Sequence, residues 1–169
     1  MNAKVIFLDL FQHMKWADLQ VWNKIKQSEK LMNDEKCTDL IFHIHLVQNM
    51  FLNVWLNDNL QIDRKNRSLE SAEKSALMFY ERLQEFVKNF DSVNLEEEKV
   101  LPWAGMLKKV LGTDPRNTLM HETINQAIQH STYHRAQINK RIRELDENPP
   151  FTDFIYWAWI NKPIVEFKL

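Results

Sequence analysis

The sequence predicts an all-α protein, a four-helix bundle with a long crossover connection and a short C-terminal helix, organised as one domain over residues 1–169. Three observations carry this reading. Only two glycines and five prolines punctuate the 169 residues, too few for a turn-rich β fold. Long stretches repeat apolar residues at intervals of three and four, the period of a helix with one buried face. A chain of this length buries a sizeable core without disulfides, and its one cysteine, Cys37, can form none within the chain.

The first helix is read from Phe7 to Ile25, where Phe7, Phe11, Met14, Val21, Trp22 and Ile25 make one stripe. His13 lies near its middle and reads as a partly exposed helix residue. Asp18 falls inside the stripe between Met14 and Val21, where a buried carboxylate needs a partner. That partner is a hydrogen-bond donor, or a metal-ligating histidine that Asp18 orients. A polar connection from Ser28 to Glu35 leads to a second helix from about Lys36 to Asn57. Asn57 to Arg67, rich in Asn and Asp, reads as a loop. Ser68 is placed to cap a third helix whose stripe runs through Leu69, Ala72, Ala76, Phe79, Leu83, Phe86 and Phe90.

From Asp91 to Pro115 the pattern is least regular. Glu96-Glu97-Glu98-Lys99 reads as a solvated run, and Leu101-Pro102-Trp103-Ala104-Gly105-Met106 suits a crossover or a short hairpin over one end of the bundle. A long connection lets neighbouring helices run parallel. Asp114-Pro115 places a capping residue before a proline suited to a first helical turn, with Asn117 and Thr118 as alternatives. From there the last long helix runs to about Leu145 and stops at Asn148-Pro149-Pro150. Asp153 is placed to cap a short final helix through Phe154, Ile155, Trp157 and Ile160. So many aromatic and apolar residues either pack over the end of the bundle or form a homodimer contact.

The last long helix carries His130-Ser131-Thr132-Tyr133-His134-Arg135-Ala136-Gln137. Residues four apart sit one above the other, so the imidazoles of His130 and His134 can point at one ion. His121, nine residues before His130, points the opposite way. The second helix offers a third ligand, and two histidines compete for the place. On a wheel of 100° per residue, His43 lies roughly 70° from the apolar centre and His45 roughly 130° from it. His43 is therefore the better inward-pointing candidate, and the two cannot both reach one ion from a regular helix. Three neutral imidazoles suit Zn(II), Ni(II) or Fe(II) and leave positions for water or substrate.

His-Ser-Thr-Tyr-His-Arg-Ala-Gln, followed by Pro149-Pro150 and Asp153, resembles the HxxxHRGQ signature of the DinB/YfiT-like family with its downstream PP and D. Trp16-Ala17-Asp18 is similar to that family's first-helix YNxWAN segment, and His43 through Leu52 to its HxxxxExxWL segment. Ala136, Asp18, Gln48 and Phe51 stand where the family usually shows glycine, asparagine, glutamate and tryptophan. The resemblance favours His43 as the third ligand. It implies a divalent-metal site and, for some members, a transferase that joins a low-molecular-weight thiol to an electrophile. A metal-dependent hydrolase, with Asp18 as the one nameable acid or base, and a metal-binding stress-response protein without turnover are the other expectations.

A formal net charge of −1 provides no basic field for a phosphate backbone, so nucleic acid is not an expected partner. No apolar run reaches the roughly 18 residues of a spanning helix, and the N-terminus lacks a cleavable-leader pattern. With its lone cysteine, the chain reads as a soluble cytoplasmic protein.

Overall fold

The computed structural model describes residues 3–169. In chain order it has α1 (Ala3–Lys26), a single turn α2 (Glu29–Met32), α3 (Glu35–Leu56), α4 (Leu69–Lys88), β1 (Glu98–Lys99), a single turn α5 (Lys108–Leu111), β2 (Thr118–Leu119), α6 (Met120–Glu144) and α7 (Phe154–Trp159). The expected all-α bundle is formed by α1, α3, α4 and α6. Local chemistry sets several of their limits. Asp34 caps α3 by accepting from the Cys37 amide at 2.9 Å, and Ser68 caps α4 by accepting from the Ser71 amide at 3.1 Å. Asn57 ends α3 in the left-handed conformation at φ 51°, which asparagine tolerates better than most residues.

Cross-helix contacts give the directions. Trp22 meets His45 and Phe11 meets Trp55, so α1 and α3 are antiparallel. His43 meets His130 and Trp55 meets Thr123, so α3 and α6 are antiparallel as well. Asn49 meets Ser75 and Asn53 meets Arg82, so α3 and α4 run parallel. A parallel pair needs a connection that returns the full length of a helix. The segment 57–68 does this: twelve extended residues reach about 40 Å, against about 33 Å for the 22 residues of α3. Its far end is tied down where Arg67 pairs with Asp39. The long crossover is therefore 57–68, and of the two roles open to the region from Asp91 to Pro115, a crossover or a short hairpin over one end of the bundle, it takes the second.

The later connection links two antiparallel helices, α4 and α6, and closes one end of the bundle. Its two short strands pair antiparallel, with Glu98 opposite Leu119 and Lys99 opposite Thr118. This pairing delays α6 to Met120, so none of Asp114, Asn117 and Thr118 caps it. The first amides of α6 are satisfied by the connection instead, Met120 donating to the Glu97 carbonyl at 2.8 Å and His121 to that of Leu95 at 3.0 Å.

The core is divided into two apolar regions. One holds Phe11, Phe51, Trp55, Phe79, Phe86 and Ile124; the other holds Val21, Trp22, Ile41, Phe42, Ile138 and Ile142. Each large side chain contributes about 1.5–3 kcal/mol by leaving water. Between the two regions lies a buried polar layer of Asp18, His45, Gln48, Ser131 and Arg135. At the C-terminal end, α7 lies against α1, where Trp157 is buried on Trp16 and Ala17. His13 is buried beneath the same segment and contacts the Thr152 carbonyl at 3.0 Å, which corrects its reading as a partly exposed residue. Trp159 remains 74% exposed on the outer side of α7. No helix among the described residues is long and apolar enough to cross a membrane.

Candidate metal centre

The buried polar layer sets the register of α1, α3 and α6. Arg135 Nη1 donates to Asp18 Oδ1 at 2.6 Å, which ties α6 to α1. Gln48 Nε2 donates to Asp18 Oδ2 at 2.8 Å and to Ser131 Oγ at 3.0 Å, and so joins α3 to both. Tyr80 adds a fourth helix through its hydroxyl, 2.5 Å from Asp18 Oδ2. Desolvation would raise the Asp18 carboxyl, but the Arg135 charge and the hydrogen bonds from Tyr80 and Gln48 outweigh it and hold the group below its ordinary value. Ser131 and Arg135 each follow a motif histidine directly. The contacts that dock α6 therefore also fix the height at which His130 and His134 face α3.

His43 meets them there. Its Nε2 lies 3.1 Å from Nε2 of His130, and its ring centroid lies 4.7 Å from that of His134; the two α6 rings are 4.4 Å apart. One ligand nitrogen from each of the three lies within 4.8 Å of the others, and all three residues are half-buried. Two nitrogens bound to one ion at roughly 2.0–2.1 Å stand about 2.9–3.4 Å apart for right-angled to tetrahedral geometries, which brackets the His43–His130 separation.

Protonation favours a cation over a proton. Desolvation, followed by the neighbouring His134 and His43, lowers His130 to about 4. Desolvation likewise lowers His43, helped by His134 and Arg67. Both rings are neutral at pH 7 and keep a lone pair. Gln137 Oε1 lies 2.7 Å from Nδ1 of His134, so Nδ1 carries the proton and Nε2 is left as the donor atom toward the cluster. His130 Nδ1 is buried and meets no hydrogen-bond partner among the described residues. The donor set and its protonation thus fit a divalent ion, with His43, His130 and His134 as the residues that could hold it.

His45 is the instructive contrast. Trp22 Nε1 can only donate, and it does so to His45 Nε2 at 2.8 Å. His45 Nδ1 must then carry the proton, which goes to Gln48 Oε1 at 2.7 Å. Both ring nitrogens are occupied and the residue is fully buried, so no lone pair remains for a metal. His43, and not His45, is the α3 histidine that faces the α6 pair, and the wheel argument does not account for it. His45 is the more buried of the two, and Asn49 is buried against Ser75. Because α3 is packed against α1, α4 and α6, little of its circumference is solvated.

Other candidates fall away on position. His121 points from the cluster and contacts the Leu95 carbonyl. Asp18 finds its partners in Arg135, Gln48 and Tyr80 and orients no histidine of the cluster. The residue that does orient one is Gln137, which stands three residues after His134 on the same face and closes the stretch that resembles the family signature. Cys37 is buried; desolvation, then Asp34, pushes its thiol up to about 12.

A sequence model of the DinB family matches residues 1–164. Protein DinB of Bacillus subtilis (strain 168) is similar to this chain, with 20% identity over 170 residues, covering 90% of the chain and 94% of that protein. With the family model matched along nearly the whole length, and with the motif histidines facing one another in the folded bundle, this chain belongs to the DinB family.

Proposed function

We propose that His43, His130 and His134 bind a divalent metal ion, Zn(II), Ni(II) or Fe(II), and that the protein is a metal-dependent transferase joining a low-molecular-weight thiol to an electrophile. The observation that carries the reading is the convergence of three imidazoles from two helices, with no fourth His, Cys, Asp or Glu in the group among the described residues. His43, His130 and His134 would hold the ion with a coordination position left open, and the ion would supply the positive charge that keeps a thiol deprotonated near neutral pH.

The chain's own residues divide the remaining work. Gln137 fixes the ring of His134 in the tautomer that turns Nε2 inward. Burial keeps His43 and His130 unprotonated at neutral pH. Cys37, protonated and enclosed, does not serve as the thiol, so that group arrives with a small molecule. Both oxygens of Asp18 are engaged by Arg135, Gln48 and Tyr80, so it cannot act as a base on water, which weighs against hydrolysis. The lone, unreactive cysteine is consistent with a place in the reducing cytoplasm. Exposed Ile155, Trp159 and Ile164 are the support for a homodimer contact on the C-terminal face.

The test is thioether formation between small thiols and monochlorobimane, followed by mass spectrometry on tag-free protein loaded with each metal. The reading expects metal-dependent turnover that His134→Ala abolishes. Turnover equal to the metal-free control would leave a binding protein without catalysis, and hydrolysis of esters or amides in its place would refute the transfer.

A further inference from the structure

A cavity of about 830 Å³ opens along α3, walled by the crossover 57–65 on one side and by residues 97–103 on the other. Its floor is apolar, formed by Met50, Val54 and Trp103, and Ile62 adds an apolar side chain to the wall. Met50 and Val54 lie seven and eleven residues beyond His43, within about 20° of its heading on the helix, so the cavity and the histidine cluster share one face of α3. Along the axis, Met50 is only about 10 Å from His43.

The polar groups of the walls are largely committed to one another. Asp58 holds Arg82 at 2.8 Å, and Asp63 accepts the amides of Lys65 and Asn66. Lys99, 4% exposed, donates to Glu97 at 2.8 Å and to Asn57 at 3.3 Å, while Glu98 accepts from Asn117 at 3.1 Å. Among the described residues, the side chains of Arg64 and Lys65 make no ion pair within 4 Å. Lys65 is partly offset by neighbouring Asp63, which leaves Arg64 as the principal uncommitted cation. These cations stand at the end of the crossover that returns toward the cluster, since Arg67 is tied to Asp39, one turn before His43.

From this arrangement we infer that the cavity binds the electrophilic reactant, a small molecule with an apolar body lying on Met50, Val54 and Trp103 and an anionic group held by Arg64 near the histidines. The size suits one drug-sized ligand. The apolar floor supplies affinity, and a single uncommitted cation at one end supplies orientation. The identity of the occupant as a reactant rests on the proposed transfer reaction, whereas its binding does not.

Two probes separate the parts of the proposal: 1-anilinonaphthalene-8-sulfonate, apolar and anionic, and N-phenyl-1-naphthylamine, apolar and uncharged. Fluorescence titration of the full chain is expected to saturate near one equivalent of either. Placing a carboxylate on the floor with Val54→Glu, or on the wall with Ile62→Glu, is expected to weaken both probes by about tenfold or more. Arg64→Ala should weaken the sulfonate by about threefold to tenfold and leave the uncharged probe unchanged. Metal content is read in parallel and should equal that of the parent protein. If Ile62→Glu, which alters a loop outside the helices, leaves both probes bound as before, the cavity is not their site and the inference fails. If Arg64→Ala affects both probes alike, the anionic half of it fails. Loss of metal binding with probe binding intact would count against the transfer reaction and not against the cavity.

Discussion

Asp18 and Gln48 stand where the family usually shows asparagine and glutamate, and in the folded chain they are hydrogen-bonded to each other at 2.8 Å. The two departures therefore behave as one exchange, which keeps one carboxylate and one carboxamide at the centre of the bundle. Restoring glutamate alone should expose this. In Gln48→Glu, a second carboxylate faces Asp18 Oδ2 where an amide donor was, and the donor to Ser131 is lost. Two buried like charges at that distance cannot both ionise, so one carboxyl must keep its proton. Holding a carboxyl of ordinary pKa about 4.3 protonated at pH 7 costs about 1.36 kcal/mol for each of roughly 2.7 units, or about 3.7 kcal/mol. At pH 5 the same cost falls to about 1 kcal/mol.

The sign follows from proton binding. The raised folded-state pKa means that the native state holds a proton which the unfolded chain releases above about pH 4.3, so the variant loses stability as pH rises from there. Urea denaturation of the parent, Gln48→Glu and the double variant Asp18→Asn/Gln48→Glu, at pH 5 and pH 7, measures the effect. The double variant again pairs one carboxylate with one carboxamide and should recover most of the loss at pH 7. Equal stability of parent and Gln48→Glu at pH 7 would refute the reasoning. So would a double variant whose losses simply add.

Other consequences are independent of that layer or touch it at a different point. Arg135→Ala leaves the Asp18 charge buried without its partner and should cost about 3–5 kcal/mol in the same denaturation assay. Gln137→Ala frees the His134 ring and should weaken metal affinity by about 10- to 100-fold in chelator competition, with the helix content in circular dichroism unchanged. Replacing His45 with Phe should lower the melting temperature yet leave metal stoichiometry intact, because neither His45 nitrogen faces the cluster. In metal-free protein, burial holds His43, His45 and His130 below the ordinary 6.5, and His130 at about 4. Below pH 6.5 the unfolded chain takes up protons that the folded chain refuses, so the melting temperature should fall steadily from pH 7 toward pH 4. A flat profile over that window would contradict the buried neutral state.

The four long helices were legible because each carries an apolar stripe at helical spacing, and the Ser68 cap was readable from chemistry alone. What the stripes could not convey was how many neighbours each helix has. A wheel supposes one wet face, and α3 has very little of one, so His45 was placed far from the apolar centre when it is fully buried. His13 was misplaced for a related reason: the chain that covers it, around Thr152, arrives from 139 residues away. The start of α6 was shifted by pairing between Glu98-Lys99 and Thr118-Leu119, a contact with no local signature. The position of the crossover followed from helix direction, which only cross-helix contacts reveal. Of the site, the i, i+4 pair His130 and His134 was plain, while the role of Gln137 depended on a hydrogen bond that spacing permits without requiring.

The most direct test of the account is elemental analysis of the tag-free protein beside His43→Ala, His134→Ala and His45→Ala. The geometry predicts about one equivalent of divalent metal in the parent and in the residue 45 variant where it folds, and near-complete loss in the other two. Metal retained after removal of either His43 or His134, or lost when His45 is changed in a protein that still folds, would contradict it.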